Sequence, residues 1–218
     1  MKTSVIITAG GSGKRMGQPK QFLPLLGKPM IEWTIDAFKK VKAVDEIIIV
    51  VPKEDASRIS HYVSRIAFSG KERTDSVRNG LKLVSFDADI ILIHDGVRPL
   101  VTPDIIEAAI DGAKKFGAVV IGVPVKDTLK EVMRDAGCEI RKTLDREIVW
   151  QAQTPQAFRR ETIIKAYEKA KGTATDDSKL VEDLGIQVKM IMGSYDNIKV
   201  TTPEDLVVAE AILRSRNV

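Results

Sequence analysis

Five short apolar runs limit what this chain can become: SVIIT (4–8), EIIIVV (46–51), DIILIH (89–94), AVVIGVPV (118–125) and QVKMIM (187–192). Each has strand length, and their richness in Val and Ile, on consecutive positions in the first four, implies burial on both faces, the condition of a parallel sheet covered by helices. Helical patterns lie between them. MIEWTIDAFKKV puts Ile31, Thr34, Ile35 and Phe38 on one face, and TPDIIEAAIDGAKKF opens with a Thr at the cap position, a Pro in the first turn and early acids. TTPEDLVVAEAILRS repeats that opening. The alternation predicts an α/β fold with a doubly wound, mostly parallel sheet. A chain of 218 residues that is 44% hydrophobic can bury a full core without a staple, so a single domain over residues 1–218 is expected.

One segment breaks the rhythm. DTLKEVMRDAGCEIRKT, residues 127–143, reads as two short alternating strands around a turn near Asp135 to Gly137, charged on both faces. Such a hairpin cannot enter the core, so a projecting β-hairpin arm that embraces a second subunit is expected, with Asp127 ordering its base. Composition narrows the partners. Thirty-four Lys and Arg against thirty Asp and Glu give a formal +4, with a pI near 9.1, which suits a small anionic ligand. Aromatics at 5% and the absence of a dense basic run argue against nucleic acid. The single cysteine, Cys138, cannot form an internal disulfide and points to a reducing compartment. No apolar run reaches the roughly 18 residues of a membrane span, and the first strand starts without a signal-peptide layout. A cytoplasmic protein that does not contact membranes is therefore expected.

The first strand runs into TAGGSGKRMGQPKQ, residues 8–21. Two familiar phosphate loops do not fit it. The dinucleotide fingerprint G-x-G-x-x-G would need glycine at Met16, and the P-loop would need Ser or Thr at Arg15 and glycine at Thr8. What survives is a loop whose glycines let backbone N–H groups approach phosphate oxygens, followed by Arg15 and Lys20, at the strand end where α/β folds bind ligands. Pro19 fixes its own φ and biases Gln18 towards extended backbone, which holds Lys20 off any continuing helix.

TAGGSGKRMGQPKQFLPLLGKPMIEWTI resembles the signature of sugar-nucleotide and polyol-phosphate nucleotidyltransferases. KERTDSVRNGL (71–81), LIHDGVRPLVT (92–102), TLDREIVWQAQTPQAF (143–158) and DNIKVTTPEDL (196–206) narrow the resemblance to the 2-C-methyl-D-erythritol 4-phosphate cytidylyltransferase family of non-mevalonate isoprenoid synthesis. The resemblance implies a Rossmann-like nucleotidyltransferase fold. It also implies a reaction in which a phosphate oxygen of a polyol phosphate attacks the α-phosphorus of CTP in line, pyrophosphate leaves, and no covalent intermediate forms.

Both reactants are anions, so cations must bring them together; one pair at 4 Å is worth roughly 4 kcal/mol at an effective dielectric of 20. By resemblance, Arg15 and Lys20 stabilise the five-coordinate transition state. Thr8, Ala9, Gly10, Gly11, Gly13, Gly70 and Ser76 bind the nucleotide, the cytosine being read by backbone groups near residues 8–10 and by residues 70–76. Asp95, Asp196 and Lys199 bind substrate, Arg98 either balances Asp95 or touches substrate phosphate, and Thr143 and Arg160 reach that phosphate from the neighbouring subunit of a homodimer with shared active sites. The triphosphate implies Mg2+, and Asp95 is the candidate either for the metal or for substrate hydroxyls. His61 and His94 receive no catalytic role. The sequence departs from the family at Thr8, often Ala, and at Lys71, often an acid. Two other readings stay open: a ribitol-5-phosphate cytidylyltransferase, and a non-catalytic nucleotide-binding regulator.

Overall fold

A computed structural model describes residues 1–11, 19–63, 65–133 and 137–216. In chain order the elements are β1 (Thr3–Thr8), β2 (Pro24–Leu25), β3 (Lys28–Pro29), α1 (Met30–Lys39), β4 (Glu46–Val51), α2 (Ala56–Ile59), β5 (Arg65–Phe68), α3 (Arg73–Leu81), β6 (Ile90–Asp95), α4 (Pro103–Phe116), β7 (Ala118–Pro124), β8 (Lys130–Met133), β9 (Glu139–Thr143), β10 (Trp150–Arg159), α5 (Arg160–Lys169), α6 (Asp177–Glu182), β11 (Lys189–Met192) and α7 (Pro203–Ser215). Seven strands form one sheet in the order β11-β7-β10-β6-β1-β4-β5. The five apolar runs supply β1, β4, β6, β7 and β11, and every pairing between them is parallel.

Alternation along the strands divides the core in two. Val5 and Ile7 of β1, with Ile49 and Val51 of β4, pack under Ile31, Ile35 and Phe38 of α1 and Ile106, Ala109 and Ile110 of α4. Ile6, Ile48, Val50, Ile91 and Ile93 point the other way, against Val77 and Leu81 of α3, Ile163 and Ala166 of α5, and Leu180 and Val181 of α6. Each fully buried Ile or Val contributes about 1.5–3 kcal/mol relative to exposure, so two covered faces hold the sheet flat against both helical layers. A third cluster seats α7 over the β2–β3 hairpin through Leu25, Met30, Val200, Ala209 and Leu213. The two Thr-Pro openings behave differently. Thr202 caps α7 by accepting from Asp205 N–H (3.4 Å) while Asp205 accepts from Thr202 N–H (2.9 Å), whereas Thr102 occupies the cap position of α4 without a side-chain bond there.

Besides the short β2–β3 pair, two strands of the seven-stranded sheet are absent from the sequence reading. β5 is a short edge strand beside β4. β10 is the larger omission: it inserts between β6 and β7, antiparallel to both. Its sequence, WQAQTPQAFR, carries Gln, Thr and Pro where a central strand ordinarily carries Val and Ile. Pro155 is accommodated because the β10–β7 register shifts between Ala152 and Gln156. The buried polar side chains are paired: Gln153 Nε2 donates to Ser194 O (2.8 Å), and Gln156 Oε1 accepts from Asp177 N–H and Ser178 N–H (3.1 and 2.9 Å).

β8 and β9 form the expected hairpin as a separate two-stranded sheet. Arg134, Asp135 and Ala136, part of its expected turn, lie outside the described residues. Its base closes through Leu144 N–H to Leu129 O (3.0 Å) and Val125 N–H to Val149 O (3.1 Å). Asp127 is exposed and takes no part in that closure. Val132, Met133 and Ile140 are exposed on the arm.

Candidate active site

β1 and β6 end side by side, with Thr8 in register with Asp95. From β1 the chain proceeds to β4 and β5 on one side, and the second half builds outward from β6 on the other, so the strand order reverses between them. A cleft of about 410 Å³ opens at this point. Residues 8–11 line it after β1, residues 70–73 and Ser76 around the start of α3, Asp95 and Val97 after β6, with Lys20, Gln21 and Lys199 completing the wall. Lys20, Lys71, Arg73 and Lys199 face Glu72 and Asp95. Four cations against two carboxylates favour an anionic ligand.

Asp95 is the electrostatic centre. Its carboxylate lies 2.7 Å from Lys199 Nζ, 3.7 Å from Arg73 Nε and 3.7 Å from Arg98 Nε. Burial works against its charge, but Lys199, Arg73 and Arg98 outweigh that and hold the carboxyl well below the usual carboxylate range. Arg98 stands behind it, buried, donating to Asn197 O (2.7 Å). Burial lowers the basicity of Arg98, an effect that Asp95 partly offsets. Asn197 Nδ2 donates to Thr154 O (2.9 Å), which ties the DNIK loop carrying Lys199 to β10.

His94 supports Asp95 from within. It is fully buried, with Nδ1 3.1 Å from Thr154 Oγ1 and Nε2 3.3 Å from Arg98 O. A carbonyl only accepts, so Nε2 carries the proton, and the Thr154 hydroxyl donates to Nδ1 while accepting from Asp95 N–H (3.0 Å). Burial pushes the His94 pKa down to about 3, against the opposing pull of Asp95. The ring is a neutral strut.

Two glycines of the cleft, Gly10 and Gly70, serve close approach. A Cβ on Gly10 would stand 2.5 Å from Ser69 Cβ, and one on Gly70 2.3 Å from Asp75 Cβ. Several expected base-reading groups are already committed. Ala9 N–H donates to Val50 O (2.8 Å), Gly70 N–H to Ser76 Oγ (3.1 Å), and Ser76 Oγ to Glu72 O (3.1 Å). Ser76 thus shapes the loop before α3, and Ala9 N–H belongs to the sheet. Pro19 is extended (φ −60°, ψ 98°), and Lys20 opens a single 3-10 turn, Lys20–Phe22, that aims it into the cleft.

A family model described as IspD, 2-C-methyl-D-erythritol 4-phosphate cytidylyltransferase, matches residues 3–215. The chain belongs to this family. It is 48% identical to the 2-C-methyl-D-erythritol 4-phosphate cytidylyltransferase of Alkaliphilus oremlandii, over 99% of this chain and 96% of the relative. The namesake from Syntrophus aciditrophicus is 45% identical over 98% and 96%. Among solved structures, 4-diphosphocytidyl-2C-methyl-D-erythritol synthase from Anaerococcus prevotii superposes with a TM-score of 0.87 at 34% identity, covering 98% of each chain. The cytidylyltransferase of Thermus thermophilus does so at 0.84 and 31%, covering 98% of this chain and all of the other.

Of the residues assigned through the family resemblance, the fold brings Thr8, Ala9, Gly10, Gly11, Lys20, Gly70, Ser76, Asp95 and Lys199 to one cleft. Gly13 and Arg15 lie outside the described residues. The structure sets three others away from the cleft of their own chain. Arg98 backs Asp95, the balancing role left open for it. Asp196 turns away from Lys199 because the Ile198 N–H to Asp196 O turn (2.7 Å) separates them, and its carboxylate pairs with Arg216 (3.1 Å). Arg160 sits at the opposite end of the sheet: β10 runs antiparallel to β6, so Arg160 follows the residue paired with Ile90, and its N–H donates to Asp89 O (2.9 Å). Thr143 is exposed on the arm and accepts from Lys130 Nζ (2.6 Å).

Sequence reasoning also passed over Arg73 and Gln21. Arg73 stands in the quoted ERTDSV run, but only the fold shows that its guanidinium faces Asp95. Gln21 is buried at the cleft wall, and its Nε2 has no hydrogen-bond partner among the described residues.

Proposed function

We propose that this chain transfers a cytidylyl group from CTP to 2-C-methyl-D-erythritol 4-phosphate. A phosphate oxygen of the polyol attacks the α-phosphorus, the bond from that phosphorus to the β-phosphate bridging oxygen breaks, and pyrophosphate leaves with the bonding electrons. The observation that carries the reading is the cationic cleft at the strand-order reversal, where Lys20, Arg73 and Lys199 converge beside the glycines that follow β1. Preorganised cations suit a reaction whose main barrier is the approach of two anions. Lys20 acts at the α-phosphate, and Lys199, steadied by Asp95, orients the attacking phosphate.

Mg2+ is the expected companion of the triphosphate, and it supplies charge neutralisation on the phosphate oxygens. Asp95 is its candidate protein ligand. That carboxylate is already ringed by three cations, and among the described residues no cluster of three or more His, Cys, Asp or Glu stands ready for a metal. This donor set suits an ion that arrives on the nucleotide, keeps several waters and takes one carboxylate.

The arm supports a homodimer with shared sites. Val132, Met133 and Ile140 are an apolar surface on an otherwise charged hairpin, and its base forms a cavity lined by Thr128, Thr143 and Arg146. Arg146 is the cation such an arm would offer to a neighbour's cleft. Among the described residues no helix is long and apolar enough to cross a membrane.

Steady-state rates for a panel of polyol phosphates against the four nucleoside triphosphates test the reading. The highest kcat/KM is expected for CTP with 2-C-methyl-D-erythritol 4-phosphate. A higher value for ribitol 5-phosphate would move the chain to the other polyol, and no turnover with any pair would remove the enzymatic reading.

A further inference from the structure

Arg73 reaches the cleft from the first position of α3, on a backbone the chain could have left to solvent. Its guanidinium is instead held from behind. Nη1 and Nη2 donate to the two carboxylate oxygens of Asp177 at 2.9 and 2.7 Å, a fork-on-fork pair, while Nε is turned towards Asp95. Asp177 is completely buried, at the first position of α6. It receives the Tyr167 hydroxyl from α5, and its own N–H, with that of Ser178, is fixed on Gln156 Oε1 of β10. A second tie joins the same two regions, Ala174 N–H to the Thr74 hydroxyl (3.2 Å).

A carboxylate with no solvent contact is costly unless paired, and replacing it with a well-packed apolar side chain is often neutral or stabilising. An ion pair placed here therefore does little for stability that Leu could not do. What it does uniquely is fix the plane and direction of a guanidinium whose remaining edge faces the ligand cleft. We infer that Asp177, steadied by Tyr167, is a positioning residue that holds Arg73 against the nucleotide, so that α5 and α6 set the affinity for CTP without touching it. The inference rests on the nucleotide-cleft reading above but not on turnover. The arginine stays charged throughout the working pH range: Asp177 and Asp95 outweigh the cost of burying Arg73 and raise its pKa further.

The test is CTP affinity by titration calorimetry, with a thermal melt of each variant. Asp177→Asn keeps the shape and loses the charge, and weakening of CTP binding by about tenfold or more is expected. Tyr167→Phe leaves the ion pair in place and should weaken binding by a smaller factor. Because Asp177 acts through Arg73, Arg73→Lys and the double variant Arg73→Lys/Asp177→Asn should bind CTP alike. A folded Asp177→Asn that binds CTP as the wild type does, whatever its melting temperature, would reduce the pair to a structural tie and overturn the inference. Should that variant not fold, Tyr167→Phe decides: weakened binding supports the inference and unchanged binding overturns it. A wild type that binds CTP but transfers nothing would defeat the proposed reaction and leave this inference standing.

Discussion

Asp95 collects Lys199, Arg73 and Arg98 within 3.7 Å, and the rest of the site follows from that arrangement. The carboxylate is the hub that stops three like charges from scattering before a ligand arrives. Lys20 comes from a separate loop, which suits a contact that strengthens as charge develops. Lys20→Ala is expected to lower kcat by on the order of 100-fold while the Kd for CTP changes little; a loss confined to CTP binding would make it a ground-state contact. His94 gives a second prediction. Its folded pKa is lowered to about 3 from 6.5, so between those values the unfolded chain binds a proton that the folded chain refuses. Stability is full above about pH 6.5 and falls as pH drops through that window, by up to about 1.4 kcal/mol per pH unit. Asp95, also lowered, adds loss of the same sign at more acid pH. Urea midpoints from pH 7 to 4 should fall less steeply in His94→Gln than in the wild type, and parallel curves would contradict the buried neutral ring. Asp95 and Lys199 were legible because they close recognisable motifs. Arg73 was not, because its meaning depends on Asp177, 104 positions away.

Elements that bury apolar side chains on both faces announced themselves: β1, β4, β6 and β7 were readable from Val and Ile on consecutive positions, whereas β11 is an edge strand that leaves Met190 and Met192 exposed, so the burial expected for it on both faces does not hold. β10 was not, because it satisfies burial with paired Gln and Thr and absorbs Pro155 in a register shift, and no periodicity records a hydrogen-bond partner. That hidden strand matters most to function. It carries Thr154 under Asp95 and Gln156 under Asp177, and its antiparallel direction sets Arg160 at the end of the sheet away from its own chain's cleft. The hairpin arm was readable from its charge alternation, and Val132, Met133 and Ile140 are exposed on it, as the proposed dimer requires. Ile140 is 62% exposed there. Ile140→Asp is expected to shift the protein from dimer to monomer in sedimentation velocity, with the monomer's melt close to that of the wild type; an unchanged dimer would take the arm out of the interface.

At the scale of the whole molecule, the doubly wound sheet opens a cleft where its strand order reverses, two helical layers cover its faces, and the arm stands apart from both. A site completed between subunits predicts complementation. Lys20→Ala subunits mixed with Arg146→Ala subunits should recover part of the wild-type rate, because half of the sites in a mixed dimer keep both cations. Proven mixed dimers with no recovery would confine each site to one chain. The central claim is the transfer itself, and CTP labelled at its α-phosphorus tests it most directly. With 2-C-methyl-D-erythritol 4-phosphate, the label should move into a new cytidine diphosphate ester while the pyrophosphate released stays unlabelled, and the movement should all but vanish in Lys20→Ala. Label that remains in CTP or emerges only as CMP would contradict the account.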